Sequence, residues 1–362
     1  MLSRMRTRIE SPQSDILQEL CQRLRELAPA LDKPNAWPAE QLRLCGEYGV
    51  FEWFLSREAG GQGWSEADVM RGYLELSSAC LTTTFVITQR TGACRRIEAC
   101  DNEGLKAKLL PDLVAGKSFA TVGISHLTTS RRHLAKPVLR AEETADGFMI
   151  DGFSPWVTGG PFADHVLIGA ALDDERQILA VLPMDSPGVS VPPVAELVGL
   201  SASHTGPVQC DRVTLGREWL VAGPIEDVMK HCVGARPGGF QTSALAIGLA
   251  GGAVRFLQEE AAKRPDLLAA TDALHAEWHE LRSDLLSAAA DEPVCSTENL
   301  RTRSNSLALR SSQAALAAAK GTGYVVGHPA GRWCREALFF LVWSCPQPVM
   351  AANLCELAGI SD

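Results

Sequence analysis

Apolar residues recur at helical spacing through the first third of the chain and again through the last, while the stretch between them alternates in β fashion. Ile16, Leu17, Leu20, Leu24 and Leu27 predict an amphipathic helix over residues 13–27, and Leu42 and Cys45 a shorter one over 39–48. Gly60-Gly61-Gln62-Gly63 reads as a loop. Ser65 follows as an N-cap, with Glu66 and Asp68 in the first turn of a helix that runs through Val69, Tyr73 and Leu76. Further helices are predicted over 83–99 and 102–114, the second stopping before Gly116. From Phe119 to about Val221 the pattern predicts strands at 148–150, 165–169, 177–181, 188–191 and 207–213, separated by Gly, Pro and Asp turns. After Pro224 the helical spacing returns, with a small-residue run over 238–253 and helices over 274–289, 303–320, 335–343 and 349–357. Gly248, Gly251 and Gly252 each cost a helix about 1 kcal/mol against Ala. Close helix–helix approach is the expected compensation, and the run offers a surface suited to close packing between copies of the chain.

These patterns divide the chain into helices over 1–118, a β domain over 119–222 and a helical bundle over 223–362, an α+β arrangement. With 362 residues, 46% of them hydrophobic and 21% charged, the chain can bury a large core and is not a disordered one. The formal net charge of −9 gives no electrostatic footprint for nucleic acid. No run approaches the roughly 20 apolar residues that span a bilayer, and the first residues lack the apolar centre of a secretory signal. A cytoplasmic protein with no membrane partner is expected. The 11 cysteines are an odd number without a CxxC pair, which argues against a disulfide framework or a zinc site and for buried thiols.

Residues 146–166 hold the most informative local pattern. Asp146-Gly147 opens a hairpin, an alternating strand leads to Trp156, and Thr158-Gly159-Gly160 makes a polar corner before the chain resumes at Ala163. Glycine enters positive φ cheaply, so such a corner can present backbone N–H groups and a hydroxyl to a flat ligand. An ordinary hairpin with a packed tryptophan is the competing reading.

The flanks add weight to the first reading. Residues 146–166 resemble the Asp-Gly-Tyr…Lys-x-Trp-Ile-Thr-Asn-Gly…Ala-Asp signature of the acyl-CoA dehydrogenase family. Glu47-Tyr48-Gly49-Val50, Glu58 to Gly63 and Glu75-Leu76 are similar to that family's Glu-x-Gly-Leu…Glu-x-Gly-Gly-x-Gly…Glu-Leu run. Asn102-Glu103 through Lys106 to Leu110-Pro111-Asp112 and Gly116, and Gly321-Thr322-Gly323-Tyr324 with Arg332 and Arg335-Glu336-Ala337, resemble two further segments in the same order. The resemblance implies an N-terminal helical domain, a central β-barrel-like domain and a C-terminal four-helix bundle. It implies FAD, with FMN or a loosely held reduced flavin as variants, and it places Trp156, Thr158, Ser125 and His126 at the flavin. It also implies an acyl thioester of coenzyme A or an acyl carrier protein as substrate, Arg236 beside that substrate, a flavin reductase or an electron-transfer flavoprotein as redox partner, and a homodimer or homotetramer.

The departures from the family pattern fall on the chemistry. Dehydrogenation beside a thioester needs a carboxylate to remove the α-proton. The family's glutamate lies seven residues beyond the Arg-Asp-Ala alanine, and counting on from Ala337 gives Ser344. A minority of the family places it beside an arginine in the first bundle helix, where this chain has Ala235-Arg236. Ser344 and His126 remain as catalytic candidates, and Glu336 matches the family's aspartate. Thr-Glu-Pro-x-x-Gly-Ser-Asp appears as Ile124-Ser125-His126-Leu127-Thr128-Thr129-Ser130-Arg131, with Arg131-Arg132 either pairing a phosphate or standing in solvent. The Arg-x-x-Phe-Gly element that clamps the flavin diphosphate is missing around Lys263-Arg264-Pro265, and Ala317 replaces a glutamine. Three readings stay open: an acyl-thioester dehydrogenase with a non-standard base, a monooxygenase fed reduced flavin by a reductase, and a flavin-free scaffold that binds an acyl carrier or partner.

Overall fold

The computed structural model describes residues 8–128, 137–231 and 239–360. Five helices come first: α1 (Asp15–Leu27), α2 (Ala39–Glu47), α3 (Glu66–Ala79), α4 (Leu81–Ala99) and α5 (Glu103–Val114). Their starts follow ordinary capping chemistry. Ser65 Oγ accepts the Asp68 amide at 3.2 Å and Asn102 Oδ1 accepts that of Leu105 at 3.0 Å, each satisfying a donor that the first turn leaves over. α1 is one-sided, burying Leu17, Leu20, Cys21 and Leu24. α4 is buried nearly all round, with Phe85, Ile87, Arg90, Ala93 and Ile97 all inside, because α3, α5, the β domain and the helix Phe240–Ala261 all pack on it.

The β domain holds β1 (Ala120–Gly123), the short helix α6 (Ser125–Thr128), β2 (Leu139–Glu143), β3 (Gly147–Val157), β4 (His165–Ala171), β5 (Gln177–Pro183), β6 (Val189–Ser190), β7 (Gly206–Gly216) and β8 (Leu220–Ile225). They form one eight-stranded sheet in the order β6-β7-β3-β2-β4-β5-β8, with β1 parallel to β4. Val166, Ile168 and Ala170 of β4 face the domain's own interior beside Phe148 and Ile150, while Leu167 faces the cluster shared with α4 and α5. Burial on both faces explains the nearly unbroken apolar run of that strand. β3 runs well past the 148–150 expected from its pattern, because register shifts against β7 carry it to Val157.

The last third contains α7 (Val228–His231), α8 (Phe240–Ala261), α9 (Leu268–Ala289), α10 (Thr297–Gly323), α11 (Pro329–Ala337) and α12 (Gln347–Leu357). Among the described residues α8 is the one helix long and apolar enough to cross a bilayer, and it lies mostly buried in the bundle. A Cβ on Gly248 would stand 2.7 Å from the Leu74 carbonyl, and one on Gly251 2.8 Å from the Trp278 indole nitrogen. The small-residue face of α8 is therefore filled by α3 and α9 of the same chain, which corrects the expectation that it serves packing between copies. The helix expected over 335–343 is also corrected: α11 ends at Ala337, a 3-10 turn covers Leu338–Leu341, and the chain reverses through Ser344 at φ +47°. The described cysteines are free, and Cys21, Cys45, Cys80, Cys94, Cys100 and Cys210 are buried.

Candidate active site

A cavity of about 620 Å³ lies between α4, the end of β3, residues 197–200, the start of α8 and the turn after α11. Its β-domain wall is polar at one corner. Gly159 sits at φ +68°, and its amide donates to the Ser203 and His204 carbonyls at 2.9 and 3.2 Å. That turn brings the buried Thr158 hydroxyl to 2.9 Å from the Thr205 hydroxyl, which lies 2.8 Å from that of Ser203. Thr158 and Thr205 both line the cavity, and Trp156 stands at its edge with 46% of its surface exposed. Of the two glycines of the corner, Gly159 alone is left-handed; Gly160 opens a 3-10 turn.

Ser125 also lines the cavity. His126 does not line it. Its buried ring places Nε2 2.7 Å from the Gly169 carbonyl, an acceptor, so Nε2 carries the proton. Burial pushes its pKa below the usual imidazole value against the opposing pull of that carbonyl, leaving a neutral imidazole at pH 7. The placement corrects the expectation of a flavin-facing histidine.

The bundle wall is aromatic. Phe339 and Trp343 stack at 5.0 Å, and Phe85 from α4 meets them edge-on at 4.8 and 5.0 Å. Ser344 follows Trp343 and lines the cavity. The turn is held from behind by α10, where Arg301 donates to the Trp343 carbonyl at 3.0 Å and Asn305 to that of Phe340 at 3.1 Å. Burial brings the Arg301 guanidinium down to about 10. Among the described residues lining the cavity there is no Asp, Glu or His. Glu336 is buried beneath the aromatic wall and accepts from the Thr82 hydroxyl at 2.8 Å, with burial pushing its carboxyl above the usual range. It is not a cavity residue. Arg131, Arg132, Ala235 and Arg236 lie outside the described residues, and no group of His, Cys, Asp or Glu suited to a metal occurs among the described ones.

This arrangement fits the ring end of a flavin: an indole face left open, buried hydroxyls aimed at the same space, and room for a planar group in a largely apolar cavity. The region expected to clamp the diphosphate offers less. Arg264 donates to the Ala318 carbonyl at 2.7 Å and stands 3.6 Å from Glu260, so its guanidinium closes the α8–α9 corner within its own chain. Thr205, Ser203 and the Phe85–Phe339–Trp343 cluster escaped the sequence reading, since nothing adjacent in sequence marks them as neighbours of Trp156 or Ser344.

A helical domain, an inserted sheet and a helical bundle meet around this cavity, an arrangement shared with the solved structures the chain resembles. Residues 14–117 match the acyl-CoA dehydrogenase N-terminal domain. A short-chain specific acyl-CoA dehydrogenase of Clostridium acetobutylicum is 25% identical over 240 residues, covering 64% of this chain and 62% of that relative's length. In solved structures, a glutaryl-coenzyme A dehydrogenase in complex with glutaryl-CoA superposes with a TM-score of 0.80 at 19% identity, covering 96% of each chain. A dibenzothiophene monooxygenase from Paenibacillus reaches 0.77 at 17% identity, covering 95% of each. The chain is thus similar to acyl-CoA dehydrogenases, with the family match confined to residues 14–117.

Proposed function

We propose that this chain is a flavin-dependent oxidoreductase acting on an acyl thioester, with FAD, or FMN in its place, against Trp156 and Thr158. The observation that carries the reading is the open Trp156 indole and the Thr158 and Thr205 hydroxyls at one cavity, with Ser203 bonded to Thr205 behind them. A bound flavin would supply hydride acceptance. Trp156 would cover one face of its ring, and Thr158 could donate its one hydroxyl proton to the ring's edge, with Thr205 donating to the Thr158 oxygen and Ser203 to that of Thr205. Phe85, Phe339 and Trp343 exclude water from the bundle side and give the substrate an apolar wall.

Removal of an α-proton is the step this cavity supports least. Ser344 is too weak a base at neutral pH without a partner. That observation favours, as a second reading, oxygen chemistry with reduced flavin delivered by a separate reductase; in the first reading an electron-transfer flavoprotein takes the electrons. A homodimer or homotetramer is part of the proposal. Exposed Met350, Leu354 and Leu357 on α12 support it, and light scattering showing a clean monomer at micromolar concentration would remove it. The decisive test of the flavin is the absorbance spectrum and melting temperature of the purified protein before and after adding FAD or FMN. Retained flavin colour or a raised melting temperature is expected. No retention and no shift with either would leave a flavin-free scaffold that binds an acyl carrier or partner.

A further inference from the structure

A second cavity, of about 420 Å³, opens on the opposite side of α4 from the first and shares no lining residue with it. Arg90 forms its inner wall and is 2% exposed. One of its N–H groups donates to the Leu113 carbonyl in the last turn of α5, and its guanidinium carbon lies 3.9 Å from the centre of the Phe51 ring. No carboxylate pairs with Arg90 among the described residues, and burial lowers its pKa against the opposing effect of the Cys94 thiol alone. The carboxylates in the same wall are engaged elsewhere: Glu47 pairs with Arg43, and Asp164 accepts the Phe119 amide at 2.7 Å. A guanidinium does not shed its proton inside a protein, so it must be met by negative charge or by further acceptors. The α5 carbonyl gives only the partial charge of a helix end.

The remaining walls are flat and apolar. Trp37 and Phe162 stack at 4.3 Å and 15°, Phe119 meets Trp37 edge-on, and Lys117 stands exposed in the lining. We propose that this cavity binds a small aryl carboxylate, its carboxylate on Arg90 and its ring among Phe51, Phe119 and the Trp37–Phe162 stack. A fork of N–H donors over an aromatic face suits a planar carboxylate, which can accept two of them while its ring stays out of water. The competing account makes Arg90 a structural clasp between α4 and α5, and that account predicts no ligand.

Calorimetry on the full chain with benzoate as probe decides between them, with benzyl alcohol supplying the ring without the charge and inorganic phosphate the charge without the ring. Benzoate is expected to bind at least ~10-fold tighter than either, as a charge-assisted pair would require. Arg90→Gln should abolish most of this binding. Lys117→Glu, on an exposed side chain, should weaken it several-fold with an unchanged melting temperature, and it decides the matter if Arg90→Gln fails to fold. Trp156→Ala, which disables the proposed flavin corner, should leave benzoate binding intact, so this inference and the flavin assignment fail separately. Absent benzoate binding, equal binding of phosphate or benzyl alcohol, or binding unchanged in both folded variants would overturn the site; a signal lost in Trp156→Ala would place benzoate in the first cavity and do the same.

Discussion

The two walls of the first cavity are built to different ends. On the β-domain wall, a left-handed glycine sets the turn, three hydroxyls are linked at 2.8 and 2.9 Å, and an open indole lines the same cavity. On the bundle wall, a turn equally well fixed by Arg301 and Asn305 presents rings and a serine hydroxyl, with no carboxylate or imidazole among its described residues. A rigid turn costs conformational entropy to hold, so the bundle wall is not a decayed loop. What distinguishes the two is chemistry rather than order: one wall is equipped to hold a flat polar edge, and the other to shape apolar space.

The contrast breaks first if the bundle wall turns out to abstract protons. A positioned general base is worth about 10²–10⁴-fold. The native chain should therefore reduce a dye only marginally with butyryl-, octanoyl- or palmitoyl-CoA, and Ser344→Glu with added FAD should raise the rate about 100-fold. Ser344 already occupies left-handed backbone, so glutamate introduces no new backbone strain there. Robust native activity would mean that a base reaches the cavity from elsewhere.

Smaller substitutions sharpen the β-domain side. Gly159→Ala would place a methyl 2.7 Å from the Trp37 ring and 2.8 Å from that of Phe119 at positive φ, and should cost about 1–3 kcal/mol in urea unfolding. Gly160→Ala, whose nearest contact would be 3.3 Å and whose backbone is not left-handed, should cost far less; equal losses would deny the corner its special geometry. Trp156→Ala and Thr158→Val should each weaken flavin retention by about 10-fold, the worth of a ring contact or one buried hydrogen bond. Unchanged spectra would move the flavin away from this wall.

The smallest effect concerns His126. Its folded pKa lies below the ordinary 6.5, so in the window below that value the unfolded chain binds more protons. Stability should fall as pH drops from about 6.5 through the lowered pKa, and be fully present above it. His126→Gln, which can still donate to the Gly169 carbonyl, should flatten that slope. A slope that persists unchanged would assign the titration to another group.

Much of the β-domain wall was legible because it is local. Trp156, Thr158 and Gly159 occupy one strand end and its turn, so their order alone implies a corner. Thr205, which completes the hydroxyl chain from 47 residues downstream, reaches Thr158 through the pairing of β3 with β7, and the register shifts in that pairing leave no mark in the local alternation. On the bundle side Ser344 could be found by counting from Ala337, whereas its left-handed backbone depends on ties to α10. β1 was missed for the same reason: it is short and finds its partner, β4, only in three dimensions. The period of α1 was plain because one of its faces meets solvent; α4 shows little period because neither face does.

That enclosure of α4 has a consequence for how the molecule opens. Phe85 and Gln89 line one cavity, Arg90 lines the other, and Ile87, Ala93 and Ile97 fill the cores between. Its amide protons should exchange with deuterated solvent only through global unfolding, while those of exposed α12 exchange through local fraying. Both cavities would then persist in every partly opened form of the protein and vanish together in one cooperative step.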